Sequence, residues 1–336
     1  MAFNFDQWID RRHSDSVKWH KYGDRDVLPL WIADSDFRSP DCIINALQQR
    51  VEHGVFGYGD TPHELINTVI QRMAARYGWQ VEADWLILLP GVVSGLNLCV
   101  RAFTDAGQGT IAPTPIYPPF RSAAKLADRT QLNLQLHLEQ GRWLMDLAAA
   151  APQLTGSEKL LMLCNPQNPG GTVYRRQELE AQLAFAQRHD LVVCSDEIHS
   201  DLILEPGVQH IPFASLSEDA AQRSVTLISP SKSFNIAGLG ASLAIIPNKT
   251  LRERFKRQRK GVVPDVDILA QVAATAAWRD GQPWLDAQLA YLRANRDRLV
   301  AGVNAIDSLS LASPEGTYLG WINAQQLPVA SPALFF

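Results

Sequence analysis

The stretch Ser229-Pro230-Ser231-Lys232-Ser233-Phe234-Asn235 decides the fold. Val225-Thr226-Leu227-Ile228 precedes it, four apolar or β-favouring residues that predict a buried strand. Two hydroxyls and a proline then set a sharp loop that presents one lysine. A lysine held over a dry sheet end loses hydration, so its amine pKa falls and it becomes a usable nucleophile. Taken alone, a serine-flanked lysine in a loop is an ordinary solvated side chain. Two strand ends upstream change that reading.

Leu160-Leu161-Met162-Leu163-Cys164 predicts a buried strand, followed by Asn165-Pro166-Gln167-Asn168-Pro169-Gly170-Gly171. Helix formers run from about Arg175 to His189. Leu191-Val192-Val193-Cys194-Ser195 is the next strand, ending at Asp196-Glu197-Ile198-His199. Strand, helix and strand at this spacing imply a parallel sheet with right-handed crossovers. Ligands of such sheets bind outside the carboxyl ends of the strands. Three strands therefore deliver Asn168, then Asp196 and His199, then Ser229, Ser231 and Lys232 to one edge.

Earlier in the chain, Trp85-Leu86-Ile87-Leu88-Leu89 reads as a strand and Pro90 to Gly95 as a turn into a helix, Leu96 to Phe103. The backbone N–H groups at Gly91, Val92 and Val93 would make an anion site there. No Walker GxxxxGK[ST] is present, and Gly238-x-Gly240 is too short for a dinucleotide fingerprint. A strand at Gly109–Ala112 leads into a proline-stiffened loop that fixes Tyr117 and Phe120. These rigid aromatics suit either core packing or stacking on a flat ligand. Leu132, Leu134, Leu136 and Leu138 alternate with polar residues, a half-exposed strand.

Residues 1–45 hold Trp8, Trp19 and Trp31 with little helical period, which predicts an extended arm over another surface. A helix from Cys42 to about His53 follows, opened by Ser39-Pro40-Asp41. The glycine-rich loop Gly54–Asp60 carries Tyr58, and a second helix runs from about Pro62 to Tyr77. Past the lysine loop, Ser242–Ile246 is another strand. The basic run Arg252 to Lys260 lies on a helix without interleaved aromatics, so it reads as a solvated face. An amphipathic helix spans about Pro283 to Ile306, and Ser313 to Trp321 reads as a turn and a strand.

Composition narrows the function. Hydrophobic residues make 46% of the 336 and charged residues 20%, as in soluble globular enzymes. The 31 basic and 35 acidic residues leave a net charge of −4, so no global field attracts nucleic acid or anionic membrane. Cys42, Cys99, Cys164 and Cys194 show no CxxC spacing and read as reduced, buried thiols. With no signal pattern at the N-terminus and no membrane-length apolar run, the expected location is the cytoplasm.

A lysine, an aspartate, a histidine, an asparagine and a phosphate-sized cradle together suit pyridoxal phosphate. The lysine would form a Schiff base with its aldehyde, and the aspartate would keep the ring nitrogen protonated. Asn168 and His199 can bond the ring hydroxyl, while Gly91, Val92 and Val93 with Ser229 and Ser231 can bind the phosphate. No HExxH exists and Asp196 with His199 supplies only two ligands, so no metal is expected. A serine hydrolase would need GxSxG, which is absent.

These blocks closely resemble the fold-type I pyridoxal-phosphate enzymes, specifically the MalY/PatB group of cystathionine β-lyases within the aminotransferase class I/II superfamily. The resemblance is carried by Leu28-Pro29-Leu30-Trp31-Ile32-Ala33-Asp34, Phe56-Gly57-Tyr58, Gly91-Val92-Val93, the 165–171 and 195–199 segments and the lysine loop. It implies a three-layer α/β/α domain with a mostly parallel sheet over residues 46–282. It also implies a smaller α+β domain from an arm at 1–45 and a C-terminal segment at 283–336. Lys232 is implied as the Schiff-base lysine and general base, Asp196 as the partner of the ring nitrogen, and Tyr117 as a catalytic residue stacked on the ring. Ala33 and Asn168 are implied as substrate contacts. Tyr58 is implied to reach the other subunit's phosphate in a homodimer.

The implied reaction is β-elimination from L-cystathionine or related cysteine S-conjugates, giving a thiol, pyruvate and ammonia. An aminotransferase with the same apparatus is the alternative. So is an impaired cofactor-binding regulator, since relatives carry a carboxylate-gripping arginine beyond Ala333-Leu334-Phe335-Phe336, where a small-domain helix is expected to begin. Gly170-Gly171 replaces the family's commoner Thr-Gly.

Overall fold

The computed structural model of the chain describes residues 3–23, 25–331 and 335. Eight strands form its central sheet: β1 (Leu86–Leu89), β2 (Gly109–Thr114), β3 (Thr130–Glu139), β4 (Arg142–Met145), β5 (Glu158–Cys164), β6 (Val192–Asp196), β7 (Ser224–Ile228) and β8 (Ser242–Ile245). Their spatial order is β1-β8-β7-β6-β5-β2-β3-β4. The run β3, β2, β5, β6, β7 is parallel. β8 lies antiparallel between β7 and β1, and β4 folds back on β3 as a hairpin.

The side-chain alternation of β5 shows how the layers form. Leu160, Met162 and Cys164 face one apolar cluster, with the helices Val92–Phe103 and Pro118–Leu126. Leu161 and Leu163 face another, with the helix Arg176–Arg188. Both faces of β5, β6 and β7 are thus covered, which is why these strands are apolar runs rather than alternating patterns. Each fully buried Leu or Phe contributes about 1.5–3 kcal/mol. A third cluster packs the helices Asp41–Glu52, His63–Tyr77 and Ile268–Asp280 and the start of Gln282–Asn304 against β8 and β1. The expected three-layer, mostly parallel α/β/α architecture is the one found.

The differences from expectation are local. The helix after β1 begins at Val92, four residues before the expected Leu96, because Gly91 makes the whole turn at φ 108°. No strand forms over Thr317–Trp321; Ser310–Leu311 pairs instead with Ile322–Asn323. The intervening turn is held from elsewhere. The Glu315 carboxylate accepts from Arg142 (3.1 Å), Arg175 (2.5 Å) and the Val173 N–H (2.9 Å), and its carbonyl accepts from Leu204 and Glu205 N–H. Those bonds replace a ladder. Cys42 is only half buried, whereas Cys99, Cys164 and Cys194 are buried, and all four are free thiols.

Among the described residues the arm is irregular apart from one turn at Val17–His20. Phe5 anchors it, with ring centroids 5.0 Å from Phe37, 5.5 Å from Trp284 and 5.5 Å from Tyr291. No helix among the described residues is long and apolar enough to cross a membrane. The helix expected at Ala333–Phe336 falls outside the described residues except for Phe335.

Candidate active site

Adjacent parallel strands β5, β6 and β7 end side by side, and their loops bring Asn168, Asp196, His199 and Lys232 to one sheet edge. Asp196 is the last residue of β6 and is buried. Among the described residues its carboxylate has one hydrogen bond, from the Ile198 N–H (3.1 Å). Burial is the main reason its pKa climbs to about 7, and the neighbouring Glu197 charge adds to the rise. Lys232 acts in the opposite sense and stabilises the ionised form.

Lys232 is largely buried, and desolvation lowers its amine pKa against the attraction of Asp34 and Asp196. Its Nζ donates to the Ala33 carbonyl at 2.6 Å. The loop that carries it is pinned on both sides. Ser229 Oγ donates to the Ala241 carbonyl (2.6 Å) and accepts the Ser231 N–H (3.1 Å). Asn235 sits at φ 55°, a left-handed conformation held by its Nδ2 donating to the Phe37 carbonyl (2.6 Å) and by Ser39 Oγ donating to its own carbonyl.

His199 is buried with Nδ1 unpartnered, and its ring meets Tyr318 edge-on at 6.1 Å. Burial, with the Lys232 charge, pushes its pKa down to about 3, so the imidazole is neutral. Tyr117 stands at the N-cap position of the helix Pro118–Leu126 and stays 40% exposed; desolvation, then the Asp196 charge, raises its phenol pKa. At the start of Val92–Phe103 no side chain caps the helix, and open space lies where a Gly91 Cβ would be. The Gly91 N–H itself is spent on Leu89 O and Ser242 Oγ. Tyr58 is fully exposed.

Gln167 and Glu197, which organise the site, carry no assigned role in the sequence reading, and Gly170 stands there only as a departure from the family pattern. Gln167 is fully buried between two prolines: its Nε2 donates to Pro115 O (2.8 Å) and its Oε1 accepts Gly170 N–H (2.6 Å). It ties the Tyr117 loop to the Asn168 loop. A Cβ on Gly170 would meet Trp143 Cδ1 at 2.6 Å, so glycine there makes room for the indole. Behind Asp196, buried Glu197 accepts from Ser195 Oγ and Phe213 N–H and pairs with His210 at 2.8 Å. A polar residue locked between prolines and an acid beside a strand-end acid were the available signals.

The residues present fit pyridoxal phosphate. A buried carboxylate with one hydrogen bond has room for a cationic N–H, an unpartnered imidazole nitrogen lies near the amine, and uncapped helix amides can take an anion. The sequence profile described as aminotransferase class I and II matches residues 25–333. This chain belongs to the aminotransferase class I and II family. Within that family it is 38% identical over 328 residues to cystathionine beta-lyase PatB of Bacillus subtilis (strain 168), covering 95% of this chain and 84% of the relative. The crystal structure of OvoB superposes with a TM-score of 0.98 at 69% identity, covering 99% of this chain and 88% of that one. Cystalysin from Treponema denticola, whose crystal structure contains pyridoxal 5'-phosphate, superposes at TM-score 0.94 and 32% identity, covering 99% and 87%.

Proposed function

We propose that this class I/II family member is a pyridoxal-phosphate-dependent C–S lyase that cleaves L-cystathionine or related cysteine S-conjugates to a thiol, pyruvate and ammonia. The carrying observation is a desolvated lysine and an under-bonded buried aspartate on neighbouring strand ends, in a chain 38% identical to a cystathionine beta-lyase. When bound, the cofactor supplies an aldehyde for amines and an electron sink for the carbanion at Cα.

The protein's own residues do the rest. Asp196 Oδ holds the proton of the ring nitrogen; a nearby cation stabilises the carboxylate that burial otherwise pushes towards neutrality. Lys232 Nζ carries the cofactor and, as a free amine, takes the substrate Cα proton, which its lowered pKa favours. Neutral His199 and Asn168 would orient the ring hydroxyl. Tyr117 would stack on the ring, and Ala33 and Asn168 would meet the substrate. The amides of Val92 and Val93 with the Ser231 hydroxyl would hold the phosphate. Gly91 leaves that approach open, and the Ser229 hydroxyl fixes the Ser231 amide. Positioning of this kind can contribute a large part of a rate enhancement.

A homodimer is part of the proposal: Tyr58 has no cover in its own chain, with Val55 and Phe56 exposed beside it, as suits a side chain reaching a partner's site. So is a small domain formed by 1–45 and 283–336 beside a large domain at 46–282, supported by Phe5 packing on Trp284 and Tyr291. A cytoplasmic location completes it. Incubation of the purified chain with cofactor and L-cystathionine tests the activity. Pyruvate released without any keto-acid acceptor supports the lyase; strict acceptor dependence replaces it with a transaminase.

A further inference from the structure

The central sheet divides where the candidate site lies. β2 and β5 pair at Gly109 with Glu158, Thr110 with Leu160 and Ile111 with Leu161, and no further. Beyond that point β2 stays with β3 as far as Thr114 and Gln135, while β5 stays with β6 as far as Cys164 and Asp196. The strand order also reverses here, with β6 and β7 to one side and β3 to the other, which is where open α/β sheets take ligands. The loops that leave the two strands carry Tyr117 and Asn168. No ladder sets their separation.

One buried side chain spans the split. Gln167 Nε2 donates to the Pro115 carbonyl (2.8 Å) and to the Asn168 carbonyl (3.1 Å). Its Oε1 accepts the Gly170 N–H (2.6 Å), and its main chain is tied to Thr172 O and Gly171 N–H, each at 2.8 Å. Two carbonyls on one side of the amide and an N–H on the other leave it a single orientation. Among the described residues, the Gln167–Pro115 bond is the one hydrogen bond between 115–118 and 165–171. The Tyr117 hydroxyl and the Asn168 side-chain amide have no hydrogen-bond partner among the described residues, so the main chain decides where each stands.

We propose that Gln167 is a positioning residue whose amide fixes the spacing between Tyr117, the proposed face contact of the cofactor ring, and Asn168, its proposed edge contact. This deepens the proposed function and rests on a flat cofactor lying between those loops.

Gln167→Glu keeps the length and the acceptor for Gly170, but it sets carboxylate oxygen against two carbonyls where N–H donors stood. Gln167→Met keeps the length with no polar bond at all. Neither touches the phosphate cradle proposed at Val92, Val93 and Ser231, which hangs from β1 and β7.

The test titrates the full-length cofactor-free chain with pyridoxal phosphate, following the visible band and its circular dichroism, and repeats the titration with inorganic phosphate as competitor. Both variants are expected to bind pyridoxal phosphate about tenfold more weakly, the size of a lost neutral hydrogen bond. The dichroism per bound cofactor should change as the ring shifts, and the inhibition constant of inorganic phosphate should stay in place. Should Gln167→Glu not fold, Gln167→Met gives the same comparison. An unchanged affinity for pyridoxal phosphate, or a dichroism per bound cofactor equal to wild type, overturns the role of Gln167 and leaves the cofactor site standing. An equal loss of affinity for inorganic phosphate overturns it too, since that marks a general loosening of the strand-end loops. A wild-type chain that forms no visible band overturns both.

Discussion

The strand-end loops and the N-terminal arm meet at Lys232 but are built in opposite ways. The loops at 165–171, 196–199 and 229–235 hang from parallel strands buried on both faces, so the sheet fixes them. The arm has one helical turn and is held by Phe5 and by ion pairs converging on Asp34 and Asp36. On the proposed function the sheet ends would carry the reacting groups, and the arm holds one of them, Lys232, through the Ala33 carbonyl. Damage to the loops should therefore abolish chemistry with the fold intact, while damage to the arm should tune chemistry and cost stability.

The strongest break of this division is at the lysine. Lys232→Ala should eliminate the visible cofactor band and lower pyruvate release from L-cystathionine by at least ~10³-fold, within the range for a lost acid–base group. Circular dichroism should stay unchanged, and a folded but still yellow variant would refute the assignment. Asp196→Asn keeps the shape but removes the charge proposed to hold the ring proton. A fall in kcat of about 10²- to 10³-fold is expected, with the band retained, checked by steady-state kinetics.

The positions of these two residues are legible because apolar runs that end at Asp196 and at Ile228, just before the Lys232 loop, announce parallel strands, and parallel strands announce where ligands bind. The early start of the helix at Val92 was not, because a glycine turn and a helical first turn look alike in sequence. Nor were the partners of Glu315, Gln167 and Asp34. Each bonds to residues distant in the chain, and no local period encodes such a meeting. The segment from Ser313 to Trp321 reads as a turn and a strand for the same reason, since a turn held by a remote carboxylate resembles a strand with polar flanks.

Smaller effects sharpen the comparison. Asp36→Ala strands the nearly buried Lys18 ammonium and the Trp19 N–H, so denaturant unfolding should show a loss of about 1–3 kcal/mol with the visible band kept. The loop side should instead respond to pH. The folded pKa of Asp196 lies near 7, above its ordinary 3.8, so the folded cofactor-free chain binds the proton more tightly than the unfolded one. Its contribution is therefore present at low pH and lost as pH rises towards 7. The gain in Tm on adding pyridoxal phosphate should accordingly grow from pH 5 to pH 8, and Asp196→Asn should flatten that trend.

The most direct measurement is borohydride reduction of the cofactor-loaded protein, then proteolysis and mass spectrometry of every lysine-containing peptide. The expected result is a single pyridoxyl adduct on Lys232. An adduct on Lys18 or any other lysine, with Lys232 unmodified, would contradict the assembly of these strand ends around one cofactor.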